Sequence, residues 1–235
     1  AFYDGGVETD ISKPAVVETF ILLTNPLPPV ISDSTFGYLV REGISVAEND
    51  SLRITEGIEL IFETNQPFNI YGQFRVEGTE SNLVSFSGKS DGTVIDWPGI
   101  YFAPGTDTVR LKWLFVTRAL TGIRAEQRPL HLRFGGMALN AVGMEAAGDT
   151  LVLDNVSIDS NNVGINLLNG SAALINNSNL FHNQTAAIRV GDAASARVKN
   201  SILWYNQGTA IQAVDGSNVR ISYSTVENWS GTIIE

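Results

Sequence analysis

The feature that most limits this chain is a repeat of 21 to 23 residues. Three apolar positions recur at that step. The first runs Leu153, Ile175, Val198, Ile221. The second runs Ile158, Leu180, Leu203, Val226, and extends back through Met137 to Val116. The third runs Ile165, Ile188, Ile211, Ile234, and extends back through Met144 and Ile123 to Ile100. A glycine precedes its early members, at Gly99, Gly122, Gly143 and Gly164. Self-similarity at a short fixed period marks a solenoid, in which each copy buries its apolar face only against its neighbours.

Within a copy the apolar residues alternate, as in Val156 and Ile158, then Ile165 and Leu167. Period two is the strand period. Asn, Gly, Ser and Asp break these runs into short strands joined by turns. About 22 residues hold three such strands and three turns, with no room for an ordinary helix. Stacked coils place each strand parallel to its equivalent, about 4.8 Å away. The fold class is therefore all-β, a parallel β-helix. A leucine-rich repeat has a similar period, but its Leu-x-x-Leu-x-Leu-x-x-Asn pattern is not sustained.

Asparagines repeat too: Asn155, Asn177, Asn200, then Tyr223; and Asn161, Asn183, Asn206, then Trp229. Asn tolerates left-handed turn geometry, and stacked amides can bond along a solenoid axis. A carbohydrate or ion site is the functional alternative. The Asn-x-Ser/Thr triplets within these turns are explained by the same ladder.

Composition narrows the function. Of 235 residues, 43% are apolar and 17% charged, so the chain is not of disordered type. The net charge is −10. With no dominant basic patch, general nucleic-acid binding is disfavoured, and an anionic ligand would need local basic residues. There is no cysteine, which removes disulfides, thiolate chemistry and Cys-ligated metal. No apolar run is long enough to cross a bilayer as a helix.

Residues 1–35 differ from the rest. Pro14, Pro26, Pro28 and Pro29 punctuate them, which predicts a leader or linker. Residues 36–235 form the predicted β-helix domain, and its repeat stops in mid-coil at Gly231–Glu235. Solenoids need capped ends, so the domain is expected to be truncated or uncapped there.

Three stretches follow a recognisable set of patterns. Ile44–Ile58 resembles an opening coil "I-x-V-x-x-G-x-T-L-x-I-x-x-G-V", with Asn49-Asp50 in place of the usual Gly. Phe74–Phe86 resembles "L-x-A-x-G-T-x-x-x-P-I-x-F", with Asn82-Leu83 in place of the Pro. Asp96–Phe102 resembles "W-x-G-I-x-F". With these motifs the chain resembles secreted or surface-anchored bacterial proteins of the pectate-lyase-like superfamily, over about residues 38–235, and the resemblance implies a right-handed β-helix, outside the cell or on its surface. The lead Tyr3–Asp10 also looks like the start of a surface lipoprotein.

Candidate chemistry is sparse. Asn169, Asp192 and Asp215 fall on equivalent turns, where two Asp could help hold a calcium ion or simply form turns. Arg197-Val198-Lys199 has the Arg-x-Lys form of the galacturonase branch, whose companion motifs are missing. The two histidines, His131 and His182, belong to no zinc motif. There is no nucleophile elbow and no phosphate loop. With Ile158, Leu180, Leu203 and Val226 inward, their successors Asp159, Phe181, Trp204 and Glu227 point out, followed by Ser160, His182, Tyr205 and Asn228. Phe181 and His182 would then stack on Trp204 and Tyr205, a face suited to sugar rings or a protein partner.

These readings predict a non-catalytic surface or secreted scaffold that binds glycan or a cell-envelope partner through an outward coil face, with no cofactor other than a conceivable calcium. Two alternatives stand beside it: a polysaccharide lyase or hydrolase with a degenerate motif set, and an assembly module pairing through its terminal coil.

Overall fold

A computed structural model describes residues 20–89, 97–214, 216–231 and 233–234. These form strands and turns and no helix, hence no helix long and apolar enough to cross a membrane. The strands make three parallel sheets of ten, nine and ten members. The chain visits them in rotation, giving about 9 turns of roughly 22 residues. One coil shows the plan. Thr150–Asp154 lies in the first sheet, Ser157–Asp159 in the second and Val163–Leu168 in the third; Ala172–Asn176 then re-enters the first sheet directly on Thr150–Asp154.

The three apolar series are the inward columns of the three sheets. Leu153, Ile175, Val198 and Ile221 pair in register in the first sheet. Val116, Met137, Ile158, Leu180, Leu203 and Val226 do so in the second. Ile100, Ile123, Met144, Ile165, Ile188 and Ile211 do so in the third. They form one continuous core. In the N-terminal coils that core is aromatic: Phe62 stacks on the buried Trp97 at 3.9 Å, and Phe68, Phe74, Phe86 and Phe102 continue the run.

Two expectations are corrected. The segment expected to be a leader supplies two strands: Phe20–Leu22 pairs with Gly37–Val40, and Val30–Ile31 pairs with Arg53–Ile54. Its prolines Pro26, Pro28 and Pro29 fall between these strands, where no ladder donor is needed. Residues 1–19, with the lipoprotein-like lead, lie outside the described residues. At the other end the third series does not reach Ile234. Ile211 pairs instead with Trp229, and Ile234 enters the first sheet opposite Arg220. Asn228 runs straight into Trp229–Ser230, whereas Gln207 and Gly208 separate Asn206 from Thr209–Ala213.

The corners explain the asparagines. Between the first and second sheets sit Trp113, Phe134, Asn155, Asn177, Asn200 and Tyr223, all left-handed with φ of 50–54°. Here Asn acts through the backbone. Between the second and third sheets Asn140, Asn161, Asn183 and Asn206 point inward and are buried. The Asn161 amide donates to the Met137 carbonyl (3.1 Å) and to Asn183 Oδ1 (3.1 Å), while Asn161 Oδ1 accepts the Asn140 backbone N–H (3.0 Å). Asn183 repeats the arrangement with Ile158 and Asn206. A buried serine ladder runs parallel: Ser178 Oγ accepts the Val156 N–H (3.3 Å), and Ser201 Oγ accepts the Ser178 N–H (3.1 Å). Each rung satisfies backbone groups that a tight turn would otherwise bury unpaired.

Asn161→Ala orphans backbone groups on two coils and is expected to cost about 2–5 kcal/mol, at roughly 1–3 kcal/mol per unsatisfied group in a coupled network. Asn177→Gly, at a left-handed and exposed turn, is expected to change stability by less than about 0.5 kcal/mol. Urea unfolding of the two variants checks the contrast.

Candidate functional site

The corner between the second and third sheets sets the geometry of the aromatic candidates. Arg118, Leu139, Ser160, His182 and Tyr205 occupy equivalent left-handed positions, with φ of 54–59°. Each follows an outward strand residue and precedes an inward one. At a left-handed position the side chain leaves the corner beside its outward neighbour, so two residues per coil project together.

Four of the predicted binding residues are brought together in this way. Phe181 and Trp204 pair in register on the second sheet. His182 stacks on Tyr205, with ring centroids 6.2 Å apart and planes 26° from parallel. Phe181 meets His182 edge-on at 5.0 Å, and Trp204 meets Tyr205 edge-on at 6.2 Å. Trp204 is 38% exposed and Tyr205 69%. The coil below supplies polar groups: Ser160 Oγ donates to Asp159 Oδ1 (2.7 Å), and that oxygen lies 3.6 Å from His182 Nδ1. Ile202, 51% exposed, flanks the cluster. Asn228 does not continue the column. Its Oδ1 accepts the Ala210 N–H (2.6 Å) and its amide donates to the Gly208 carbonyl (3.3 Å), which closes the last coil.

The calcium candidates divide. Asn169 and Asp192 have φ of 51° and 52°, and the Asp192 carbonyl accepts the Gly170 N–H (2.8 Å), as turn formers do. Asp215 lies outside the described residues. Among the described residues no group of three or more His, Asp or Glu side chains is placed to hold a metal ion.

An ionisable network lies on the outward face of the third sheet. Tyr101 donates to Glu126 (2.8 Å), Arg124 reaches both Glu126 (3.7 Å) and Glu145 (3.4 Å), and Asn166 donates to Glu145 (2.9 Å). Burial, then the neighbouring Glu126, raises the Tyr101 hydroxyl above its ordinary pKa. Both carboxylates are engaged across coils.

Arg197 and Lys199 flank the buried Val198, as their alternation predicts. They are not isolated. On the same outward column Arg53, Arg75, Arg110 and His131 pair in register on successive coils. Val152 and Leu174 follow, then Arg197 and Arg220. Lys112, Arg133 and Lys199 lie in the adjacent outward column of the same strands. More than half of the chain's 15 Lys and Arg thus share one sheet face, where the strands carry only Glu77 and Asp154 as acids. Sequence reasoning found no such patch. Its signal was present as an Arg between two apolar residues, in Leu52–Ile54, Phe74–Val76, Val109–Leu111, Ala196–Val198 and Val219–Ile221.

A buried arginine orders one edge of this face. Arg128 is 2% exposed, donates to the Gly72 carbonyl (2.7 Å) and holds both oxygens of Asp107 (2.8 and 2.9 Å). His131, half-buried in the same sheet, has a pKa below its ordinary 6.5. Burial is the main cause, and Arg133 and Arg110 add to it against the pull of Asp154.

Residues 132–235 match the family model described as a right handed beta helix region. No curated protein and no solved structure gives a match. The matched region carries the aromatic corner, whereas Arg53, Arg75 and Arg110 lie before it.

The His131 shift has a definite sign. The unfolded chain binds a proton near pH 6.5 more readily than the folded one, so stability falls as pH drops below that value. His131→Gln is expected to shrink the fall between pH 7 and about pH 5. Thermal melts across that range check it.

Proposed function

We propose that this right-handed parallel β-helix is a non-catalytic scaffold that binds glycan at the corner formed by Phe181, His182, Trp204 and Tyr205. The observation that supports this reading is the pairing of exposed aromatic rings with polar groups across adjacent coils. A sugar ring offers an apolar face and an edge of hydroxyls. Trp204 and Tyr205 offer ring area for the first, and Asp159, Ser160 and His182 offer hydrogen-bonding groups for the second.

Backbone energetics favour a functional role for these side chains. Left-handed geometry costs most residues roughly 1–2 kcal/mol, and Asn, which tolerates it, already serves at the corner between the first and second sheets. His and Tyr at 182 and 205 keep that cost, and in return place rings at the corner. On this reading the scaffold works through stiffness. Ladders of core side chains and turn amides hold the outward groups in a fixed array, so little ordering entropy is lost on binding. A surface or secreted setting belongs to the same proposal.

The test is a glycan array, run with calcium present, on the wild type and on Trp204→Ala combined with Tyr205→Asn. Asn keeps the left-handed turn, so the double variant is expected to fold with unchanged or higher stability. Saccharide binding that the double variant loses is the expected result. Binding that survives in the variant, or none by the wild type, contradicts the assignment of this corner.

A further inference from the structure

The basic face of the first sheet is a separate feature from the aromatic corner. Arg53, Arg75, Arg110, Arg197 and Arg220 share one outward column, and Lys112, Arg133 and Lys199 share the next. Seven coil steps separate Arg53 from Arg220, about 34 Å at the sheet spacing. All eight residues are exposed. The same strands carry two acids, Glu77 and Asp154, so 23 of the chain's 25 lie off them. Like charges directly opposite one another destabilise a sheet. A chain of net charge −10 nevertheless gathers its cations here.

Two apolar features accompany the charge. In the arginine column Val152 and Leu174 stand between His131 and Arg197, and Leu174 is 38% exposed. Along one long edge of the face, at the corner with the second sheet, stand Trp113, Phe134 and Tyr223. Their rings keep to the basic side of that corner. The Arg133 guanidinium lies over the Phe134 ring (5.3 Å), Trp113 stacks on Phe134 (4.9 Å), and the Lys199 ammonium lies over the Tyr223 ring (5.9 Å). Tyr223 is 84% exposed. The face thus joins a two-dimensional field of cations to an apolar centre and an aromatic border.

We infer that this face docks on a lipid bilayer carrying anionic phospholipid, with the solenoid axis along the membrane plane. Each Lys or Arg brought to such a surface favours binding roughly fivefold, so eight shared over one face suffice for stable attachment. The headgroups form a sheet of negative charge that meets both basic columns at once. Aromatic rings beside Lys and Arg suit the headgroup level, where one side is polar and the other apolar. Val152 and Leu174 meet apolar surface there, which a soluble polyanion does not offer them. Acids elsewhere on the chain are repelled by the bilayer, so charge selects the orientation with this face down. The aromatic corner between the second and third sheets does not border this face and stays open to its own ligand.

The test is flotation of the full chain with vesicles at about 50 mM salt, where electrostatic attraction is only partly screened. One set of vesicles is phosphatidylcholine alone, and the other contains about one third phosphatidylglycerol. Binding to the second set only, weakened at about 500 mM salt, is the expected result. Arg197→Gln with Arg220→Gln is expected to weaken it at least about tenfold, the loss of two surface cations. These outward replacements relieve like-charge repulsion, so the melting temperature is expected to hold or rise, which excludes unfolding as the cause. Arg41→Gln with Lys89→Gln removes the same charge off the face, where both side chains pair with Glu63, and is expected to change binding less than about threefold. Trp113→Asn with Phe134→Asn keeps the left-handed turns that Asn155 and Asn177 already occupy, and is expected to weaken binding severalfold. Trp204→Ala is expected to leave vesicle binding intact, so failure here and failure at the aromatic corner are distinguishable. The inference is overturned if the anionic vesicles do not bind or bind no better than the neutral ones. It is equally overturned if the Arg197 and Arg220 variant binds like the wild type, if the Arg41 and Lys89 variant loses as much, or if an oligonucleotide or an oligouronate at equal charge displaces the chain from the vesicles.

Discussion

In-register parallel stacking is the constraint on which the rest of this molecule depends. Each strand hydrogen-bonds to its own counterpart one coil away, so a position in the repeat becomes a column in space. Inward columns bury Leu, Ile, Val and Phe against themselves and make one core along the whole axis. Corner columns must turn the chain sharply three times per coil, and polar ladders make this tolerable. The Asn140–Asn206 and Ser178–Ser224 series supply the donors and acceptors that the turns would otherwise leave buried and unpaired.

The same constraint multiplies whatever stands outward. One aromatic beside another on the next coil becomes a stack; one arginine above another becomes a row of positive charge. Both arrangements break a local rule of stability. Tyr205 and His182 hold left-handed turns that Asn would occupy with less strain, and Arg53, Arg75 and Arg110 repel one another. Sites that break a local rule are where function is expected. Trp113 and Phe134, left-handed at the neighbouring corner, also stack on each other, at 4.9 Å.

Much of the fold was legible because three columns keep a nearly constant step from Val116 onward. Their registers in the structure match the sequence series position by position until the last coil. Earlier coils were harder to align, because the coil joining Arg75 to Arg110 is longer than the others and shifts the phase. The continuation of the second series through Tyr38, Leu60 and Phe86 is plain only once the strands are paired. That phase shift also hid the arginine row, and Arg197-Val198-Lys199 looked isolated in consequence. Prolines disguised the strands at Phe20–Leu22 and Val30–Ile31, since they crowd the loop between them. The two asparagine series looked alike in sequence, yet one bonds through buried side chains and the other serves only left-handed backbone. The aromatic corner was legible because alternation fixes which residues face out; the stacking of His182 on Tyr205 depends on turn geometry that the sequence does not display.

The account rests on the stacking register across the longest coil, because both the solenoid and the arginine row depend on it. The chain has no cysteine, so an introduced pair reports directly. Arg75 and Arg110 are paired in register on the outward face, about 4.8 Å apart at Cα, within the range a disulfide spans. Arg75→Cys with Arg110→Cys is predicted to form an intramolecular disulfide under mild oxidation, while Arg75→Cys with Leu111→Cys, one outward and one inward, does not. Cross-linking of the second pair in preference to the first, or of neither, would contradict the register and with it the row of charge.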